Sequence, residues 1–340
     1  MKKYLLAENG QFYKANLHCH SIFSDGKLTP AELKEMYKAK GYSIIAFTDH
    51  DVLIAHPELA DEEFLPLNGF ELEINDDQPC HNTHWKSCHI CMIALEQDNL
   101  EQVCWKPYYV FANAKNYMDM VKIHKPTEGY VRKHNPDCIS EMMQIGRDNG
   151  FFVTYNHPVW SLEDYNDYIN YHGMHAMEIC NYASTSEGYP EYSPKVYDDI
   201  LRGGERIYCI AADDNHNRKP ADHPNFDSFG AFTVIKAERL EYRTITKALE
   251  EGQFYASQGP EIYDLWFEDG KVHITCSNVD RITISTGRRR AERVCKEKDK
   301  PLCEATFDVF EEDKYFRITV VDEKGCPANT NAYFTDELFE

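Results

Sequence analysis

The chain has 340 residues, 42% hydrophobic and 13% aromatic, enough to build a substantial core, so a disordered chain is excluded. Lys and Arg number 36 against 57 Asp and Glu, a formal net charge of -21. Such a surface repels polyanions, which argues against duplex nucleic acid as the main partner. A small phosphorylated substrate stays open if bound cations reverse the field locally, and 15 histidines are the other departure from ordinary composition.

In chain order, Met1-Lys2-Lys3 is a basic start, but Tyr4–Ala7 is far too short for a secretory h-region. No apolar run approaches the roughly 20 residues of a bilayer span, so a cytoplasmic protein is expected. Ala15–His20 reads as a first buried strand. Thr29-Pro30-Ala31-Glu32 opens a helix, with an N-cap and Pro at the first helical position, and Gly41 closes it. Ser43–Thr48, Leu65–Leu72 and His89–Leu95 follow as short apolar strands. The spacing predicts a helix over Pro136–Asp148, ended by Gly150, then strands over Phe151–Asn156 and Ala176–Cys180. A helix over Pro194–Leu201, stopped by Gly203-Gly204, precedes a strand over Arg206–Ala212.

This alternation, from residue 14 to about 258, implies an α/β fold in which helices cover a parallel sheet, with a strand count that suits a barrel. After Gln258-Gly259-Pro260 the period changes to two, through Tyr263–Glu268, Lys271–Ser277, Arg281–Ser285, Ala305–Phe310 and Tyr315–Val321. A small antiparallel β-sandwich is expected there, dividing the chain into domains 1–259 and 260–340. The 12 cysteines are scattered and only Cys88 and Cys91 form a CxxC, so buried reduced thiols are expected rather than disulfides or a thiolate metal site.

Nearly every expected parallel strand ends in histidine or carboxylate. His18 and His20, at i and i+2, share one face of the first strand. Asp49-His50-Asp51 ends the second and Glu71 the third, His89 opens the fourth, His157 ends the fifth, and Asp214-Asn215-His216 follows the last. In a parallel barrel those ends converge on one face. So many imidazoles and carboxylates together are costly unless cations lie among them. All-nitrogen and oxygen donors suit Zn, Mn or Fe, and a set larger than one ion needs implies two or three. Adjacent ions lower the pKa of a bridging water and clamp both oxygens of an in-line displacement, which is phosphoester hydrolysis.

The run His18-Cys19-His20-Ser21-Ile22-Phe23-Ser24-Asp25-Gly26, with Leu28-Thr29-Pro30 and Thr48-Asp49-His50-Asp51, resembles the opening motifs of the PHP (polymerase and histidinol phosphatase) superfamily. Gly69-Phe70-Glu71, His89, Asn156-His157-Pro158 and Asp214-Asn215-His216 resemble its later motifs, in order, so the likeness covers roughly residues 14–258. It implies a distorted (β/α)7 barrel with a trinuclear site. By that resemblance His18, His20, Glu71 and Asp214 hold one ion. Glu71 bridges to a second ion, held also by His89 and His157, and Asp25, His50 and His216 hold the third. The Ser-Asp-Gly turn at Asp25 is similar to the small-phosphatase branch. His84 is the alternative to His89, which directly precedes an apolar run as in the family motif. Glu73 lies on the same strand face as Glu71, and Asp213 adjoins Asp214, which keeps the D-x-H spacing.

A small phosphomonoester or nucleotide is therefore the expected substrate, attacked by a metal-bridging hydroxide. His157, His216 and Asp214 are the candidate catalytic residues, with either histidine, if not committed to metal, protonating the leaving group. Arg218 and Lys219 are the candidate phosphate-binding cations. Asp49 is expected to orient a ligand histidine and Asp51 to cap the following segment. His56, His124, His134, His172, His175, His223 and His273 are read as structural or exposed. Competing readings are a nuclease on short oligonucleotides, a C–N hydrolase on the same metal scaffold, and a non-enzymatic metal-binding module.

Overall fold

The computed structural model describes residues 2–76 and 86–339. Its first helix, α1 (Pro30–Lys38), starts as the sequence dictates. The Thr29 side chain accepts from the Glu32 amide while Glu32 reaches back to the Thr29 amide, so two otherwise orphaned donors are satisfied. In α2 (Pro136–Asp148) the Asn135 side chain accepts from the Cys138 amide. In α3 (Pro194–Gly203) the chain leaves through Gly204 at φ 113°, a left-handed conformation that glycine adopts without strain.

The strands that carry the motifs are β1 (Gln11–Asn16), β2 (Ile44–Phe47), β3 (Leu65–Asn75), β4 (Ser87–Ala94), β5 (Phe151–Asn156), β6 (Ala176–Asn181) and β7 (Tyr208–Ala212). They lie side by side in the order β7-β6-β5-β4-β3-β2-β1. Apart from β1, whose first two residues are exposed, they are apolar runs buried along almost their whole length. The two ends of this row meet just past β1 and β7. There the Asp214 amide donates to the His18 carbonyl at 2.9 Å and the His20 amide to the Asn215 carbonyl at 3.1 Å.

Two expectations need correction. The row is not all parallel: β4 runs antiparallel to both β3 and β5, while the other neighbours are parallel. The connection from Asn75 to Ser87 is too short for the crossover that a parallel neighbour requires. That reversal is why His89, at the start of its strand, lies at the same end of the sheet as residues that finish theirs. Glu71, in turn, sits inside β3, because the strand continues through Asn75.

Beyond β7 the chain returns as β8 (Phe232–Ala237), antiparallel to β1, then α4 (Tyr242–Glu250) and β9 (Phe254–Ser257), antiparallel to β8. The C-terminal part adds β10 (Ile262–Glu268), β11 (Lys271–Cys276), β12 (Arg281–Thr286), β13 (Ala291–Cys295), β14 (Glu304–Asp308), β15 (Tyr315–Val321) and β16 (Pro327–Thr330). Strands β10, β11 and β14 form a separate antiparallel sheet whose edge is Lys3–Tyr4 from the start of the chain. The row β16-β15-β12-β13 instead continues the main sheet, because β16 pairs with β9. One buried cluster draws on both, with Leu265, Val272, Ile274 and Phe307 packed with Ile282, Ile284, Ile318 and Val320. The Asp198 carboxylate of α3 accepts from Arg317 of β15 at 2.9 and 2.8 Å, a two-pronged ion pair with both partners largely buried.

The described cysteines are all free. The expectation of burial holds for Cys19, Cys88, Cys91, Cys104, Cys180, Cys209 and Cys276, but Cys295, at the end of β13, and Cys303, just before β14, are exposed. Among the described residues no helix is long and apolar enough to cross a membrane.

Candidate metal centre

Local chain geometry turns the motif side chains inward. Alternation along the first strand's extension gives His18 and His20 one face, and both are fully buried. After His20 the chain folds back on itself. A Cβ on Gly26 would lie 2.4 Å from the His20 carbonyl oxygen, so only glycine fits that return. The turn is held by Asp49, which accepts from the Ser21 amide and hydroxyl at 2.8 Å each and from the Ser24 hydroxyl at 2.7 Å. Asp49 thus orders the segment that delivers Asp25, rather than a ligand histidine. His157 and Asp214 follow their strands with φ of 28° and 56°, left-handed values that a non-glycine residue adopts only where surrounding contacts hold it.

Glu71 is the centre of the cluster. One of its carboxylate oxygens lies 3.2 Å from His18 Nε2, 3.1 Å from His89 Nδ1 and 3.4 Å from His157 Nε2. The other lies 3.3 Å from His20 Nε2 and 3.2 Å from His50 Nδ1. Asp214 Oδ1 is 3.1 Å from His18 Nε2 and 3.0 Å from His20 Nε2. His216 Nε2 is 3.2 Å from Asp25 Oδ1. Donor atoms within 4.8 Å of one another form four groups: His20, Asp25, His50 and His216; His18, His20, Glu71 and Asp214; His18, His157 and Glu178; and His50, Glu71 and His89. Shared residues join the groups, so they are consistent with a centre for several ions. Every metal-ligand candidate from the sequence is among them, whereas His84 lies outside the described residues. Glu73 stands one pleat away, where its carboxylate accepts from Asn75.

The donor chemistry fits divalent cations. His18 Nδ1 faces Glu178 at 2.8 Å, so the ring donates there and turns Nε2 to the cluster, 3.1 Å from His20 Nε2. His216 donates through Nδ1 to the Asp214 carbonyl at 3.0 Å, and His157 Nδ1 meets the Ser161 hydroxyl at 3.2 Å, so both aim Nε2 inward. Among the described residues His50 Nδ1, His89 Nε2 and Asp214 Oδ1 are buried polar atoms without a hydrogen-bond partner. Buried ring nitrogens and a carboxylate oxygen left without hydrogen-bond partners in this cluster are what a bound cation satisfies.

Electrostatics without the ions point the same way. Burial works against charge on His20, yet Asp214 and Glu71 hold its pKa up at about 10. His157, likewise buried, is held at about 9 by Glu71 and Asp214. His50 goes the other way, to about 4, because burial is reinforced by the neighbouring His20. Despite burial, His216, His50 and His20 hold the Asp25 carboxyl well below the usual range. Protons on some imidazoles thus do the work that divalent ions do when bound.

The remaining candidates lie at or beyond the rim. Arg218 is half-exposed and pairs with Asp25, while Lys219 is exposed. Asp51 caps nothing: its carboxylate is ion-paired with Arg132, fully buried, and Arg132 also donates to the Glu73 carbonyl at 3.1 Å. That pair pins the long segment between β4 and α2 beside His50, whose ring packs 4.9 Å from Phe111. Trp160 packs edge-on against His89 and His157 at 5.3 and 5.0 Å. Asp213 accepts from Tyr37 and from the Phe229, Gly230 and Ala231 amides, and burial raises its pKa to about 7. Of the histidines expected to be structural or exposed, His175 stacks on Phe152 and His273 on Trp266, while His172 and His223 are exposed. Sequence reasoning missed Arg132 and Glu178; a lone charge inside the apolar run Ala176–Asn181 was the available signal for the latter.

The PHP domain model matches residues 16–255, a span that contains every one of these metal-ligand candidates. The chain belongs to the PHP domain family. A PHP metal-dependent phosphoesterase is what its motifs imply, and the match carries all of them. A curated relative, a 5'-3' exoribonuclease of Haemophilus influenzae, is 36% identical over 87 residues, 25% of this chain and 29% of that protein. The match therefore spans under a third of the relative's length. A two-domain Bacteroides vulgatus protein containing a predicted PHP-like metal-dependent phosphoesterase is 15% identical, with 97% of both chains covered and a TM-score of 0.46. A Bifidobacterium adolescentis structure assigned as a metal-dependent phosphoesterase is also 15% identical, covering 63% of this chain and 92% of its own at a TM-score of 0.39.

Proposed function

We propose that this PHP-family chain hydrolyses a small phosphomonoester, nucleotides included, with two or three divalent ions of Zn, Mn or Fe, on a distorted (β/α)7 barrel. The observation that carries the reading is the convergence of buried, partnerless imidazole and carboxylate atoms around Glu71 and Asp214. When bound, such ions polarise a phosphoryl oxygen and make water nucleophilic near neutral pH. His18, His20, Glu71 and Asp214 would hold one, His89 and His157 with Glu71 a second, and Asp25, His50 and His216 a third.

The protein's own groups supply the rest. Arg218, at the rim, is suited to exchange Asp25 for a substrate phosphate oxygen, a charge-assisted contact. Lys219 adds positive charge on the same loop. Proton donation to the leaving group by His157 or His216 competes with metal holding, because Nδ1 of each ring is already engaged and only Nε2 is left. The proton then comes from solvent or from the substrate itself. The C-terminal residues 260–340, read as a β-sandwich domain, and a cytoplasmic location complete the proposal.

A second reading, nuclease cleavage of short oligonucleotides, is favoured by the identity shared with the 5'-3' exoribonuclease of Haemophilus influenzae. The charge of -21 opposes it for long strands. The test is metal-stripped protein reloaded with Mn, Zn or Fe and offered phosphorylated metabolites, mononucleotides, 5'-phosphorylated oligonucleotides and amides. Phosphate release from monoesters is expected. Mononucleotide release from oligomers without monoester turnover moves the assignment to the second reading, and metal-loaded protein that cleaves only amides overturns both.

A further inference from the structure

Strand β6 supplies none of the metal-ligand candidates read from the sequence, yet it carries a charged side chain with no solvent exposure, Glu178. Its flanks, Met177 and Ile179, are equally buried. A carboxylate in such surroundings persists only when its oxygens are fully used. Those of Glu178 accept from His18 Nδ1 at 2.8 Å, from the His157 backbone amide at 3.0 Å and from Asn181 Nδ2 at 2.9 Å. Asn181 Nδ2 also donates to Asp214 Oδ2 at 3.1 Å, and its own oxygen accepts from the Ser184 amide.

The contacts have a common consequence. An acceptor facing Nδ1 fixes the hydrogen of the His18 ring on that nitrogen and leaves Nε2 as a lone pair aimed at Glu71 and Asp214. The amide contact holds His157 at its unusual φ of 28°, which turns the ring toward Glu71. Through Asn181 the same strand fixes the second oxygen of Asp214. We infer that Glu178 is a positioning residue for the metal centre: from the side away from the ions it sets the His18 tautomer, the His157 backbone and, with Asn181, the Asp214 carboxylate. Glu178 itself faces Nδ1 of His18, directed away from Nε2, and both its oxygens are taken by N–H donors, so it supports ligands rather than joining them. The inference rests on the metal-centre reading above.

The test is Glu178→Gln, which offers one acceptor oxygen and one amide donor where three N–H groups need receiving. Competition with a chelator should show Zn and Mn affinity about 10- to 100-fold weaker than wild type, with kcat falling alongside. Wild-type affinity in the variant overturns the inference. Should the variant fail to fold, the zinc-loaded wild type labelled at its histidine ring nitrogens decides, with the His18 signal identified by its loss in His18→Gln. A protonated Nδ1 and a metal-bound Nε2 are expected, and the reverse pattern overturns the inference. A wild type that binds neither Zn nor Mn removes the metal-centre reading itself, which separates that failure from this one.

Discussion

Glu71 shows how much one buried side chain can organise, since its two oxygens face five imidazoles from four separate stretches of chain. Local spacing was enough to pick out His18 with His20, because this pair alternates on one face, and the D-x-H run picked out Asp214 with His216. It could not separate Glu71 from Glu73, which share a strand face. The pairing of β3 with its neighbours decides that, by bridging Glu71 to His50. Replacing both His18 and His20 by Ala should abolish metal-dependent turnover and lower bound metal on elemental analysis; unchanged turnover would refute the site. The folded pKa values of His20 and His157, about 10 and about 9, lie above the ordinary 6.5. In metal-free protein their stabilisation is complete below about 6.5 and is lost as pH rises through 9 to 10. Protons compete with metal for the same nitrogens, so the rise in melting temperature on adding Mn should be larger at pH 8 than at pH 6. A shift independent of pH would count against imidazole ligation.

At the scale of elements, the turn Ser21–Gly26 is a device for bringing a carboxylate back over the strand that precedes it. Gly26→Ala places a methyl 2.4 Å from the His20 carbonyl, so the turn must open. The expected cost is about 1–3 kcal/mol of unfolding free energy by denaturant titration, with loss of the ion that Asp25 would help to hold. A variant with full metal content and wild-type stability would contradict this account of the turn. Helix starts were legible because caps are local chemistry, as Thr29 with Glu32 and Asn135 with Cys138 illustrate. The direction of β4 was not, since an apolar run reads the same whichever way its strand lies. Its partner strands and the short Asn75–Ser87 connection settle the direction.

For the whole molecule, the C-terminal strands are welded to the rest by β-pairing of β16 with β9 and by the buried ion pair between Asp198 and Arg317. Asp198→Ala leaves a guanidinium buried without its carboxylate, with a Thr319 hydroxyl still 3.0 Å away. The expected loss is about 3–5 kcal/mol in chemical denaturation, with metal binding in the surviving folded fraction unchanged. A loss under about 1 kcal/mol would show that the pair does not hold these parts together. The acidic excess is also a property of the whole, and on the proposed function it would make cations bound at the centre the natural attractors for an anionic substrate.

By itself the sequence determined the alternation of strands and helices, the change of period near residue 259, and the identity of the metal-binding candidates, because each is written in short-range spacing and residue chemistry. Only the tertiary structure decided that one strand is reversed, that Lys3–Tyr4 pairs with the C-terminal sheet, and that Glu178 backs the ligands. Those features depend on which distant segments become neighbours. Pairing and burial, rather than any local pattern, select them.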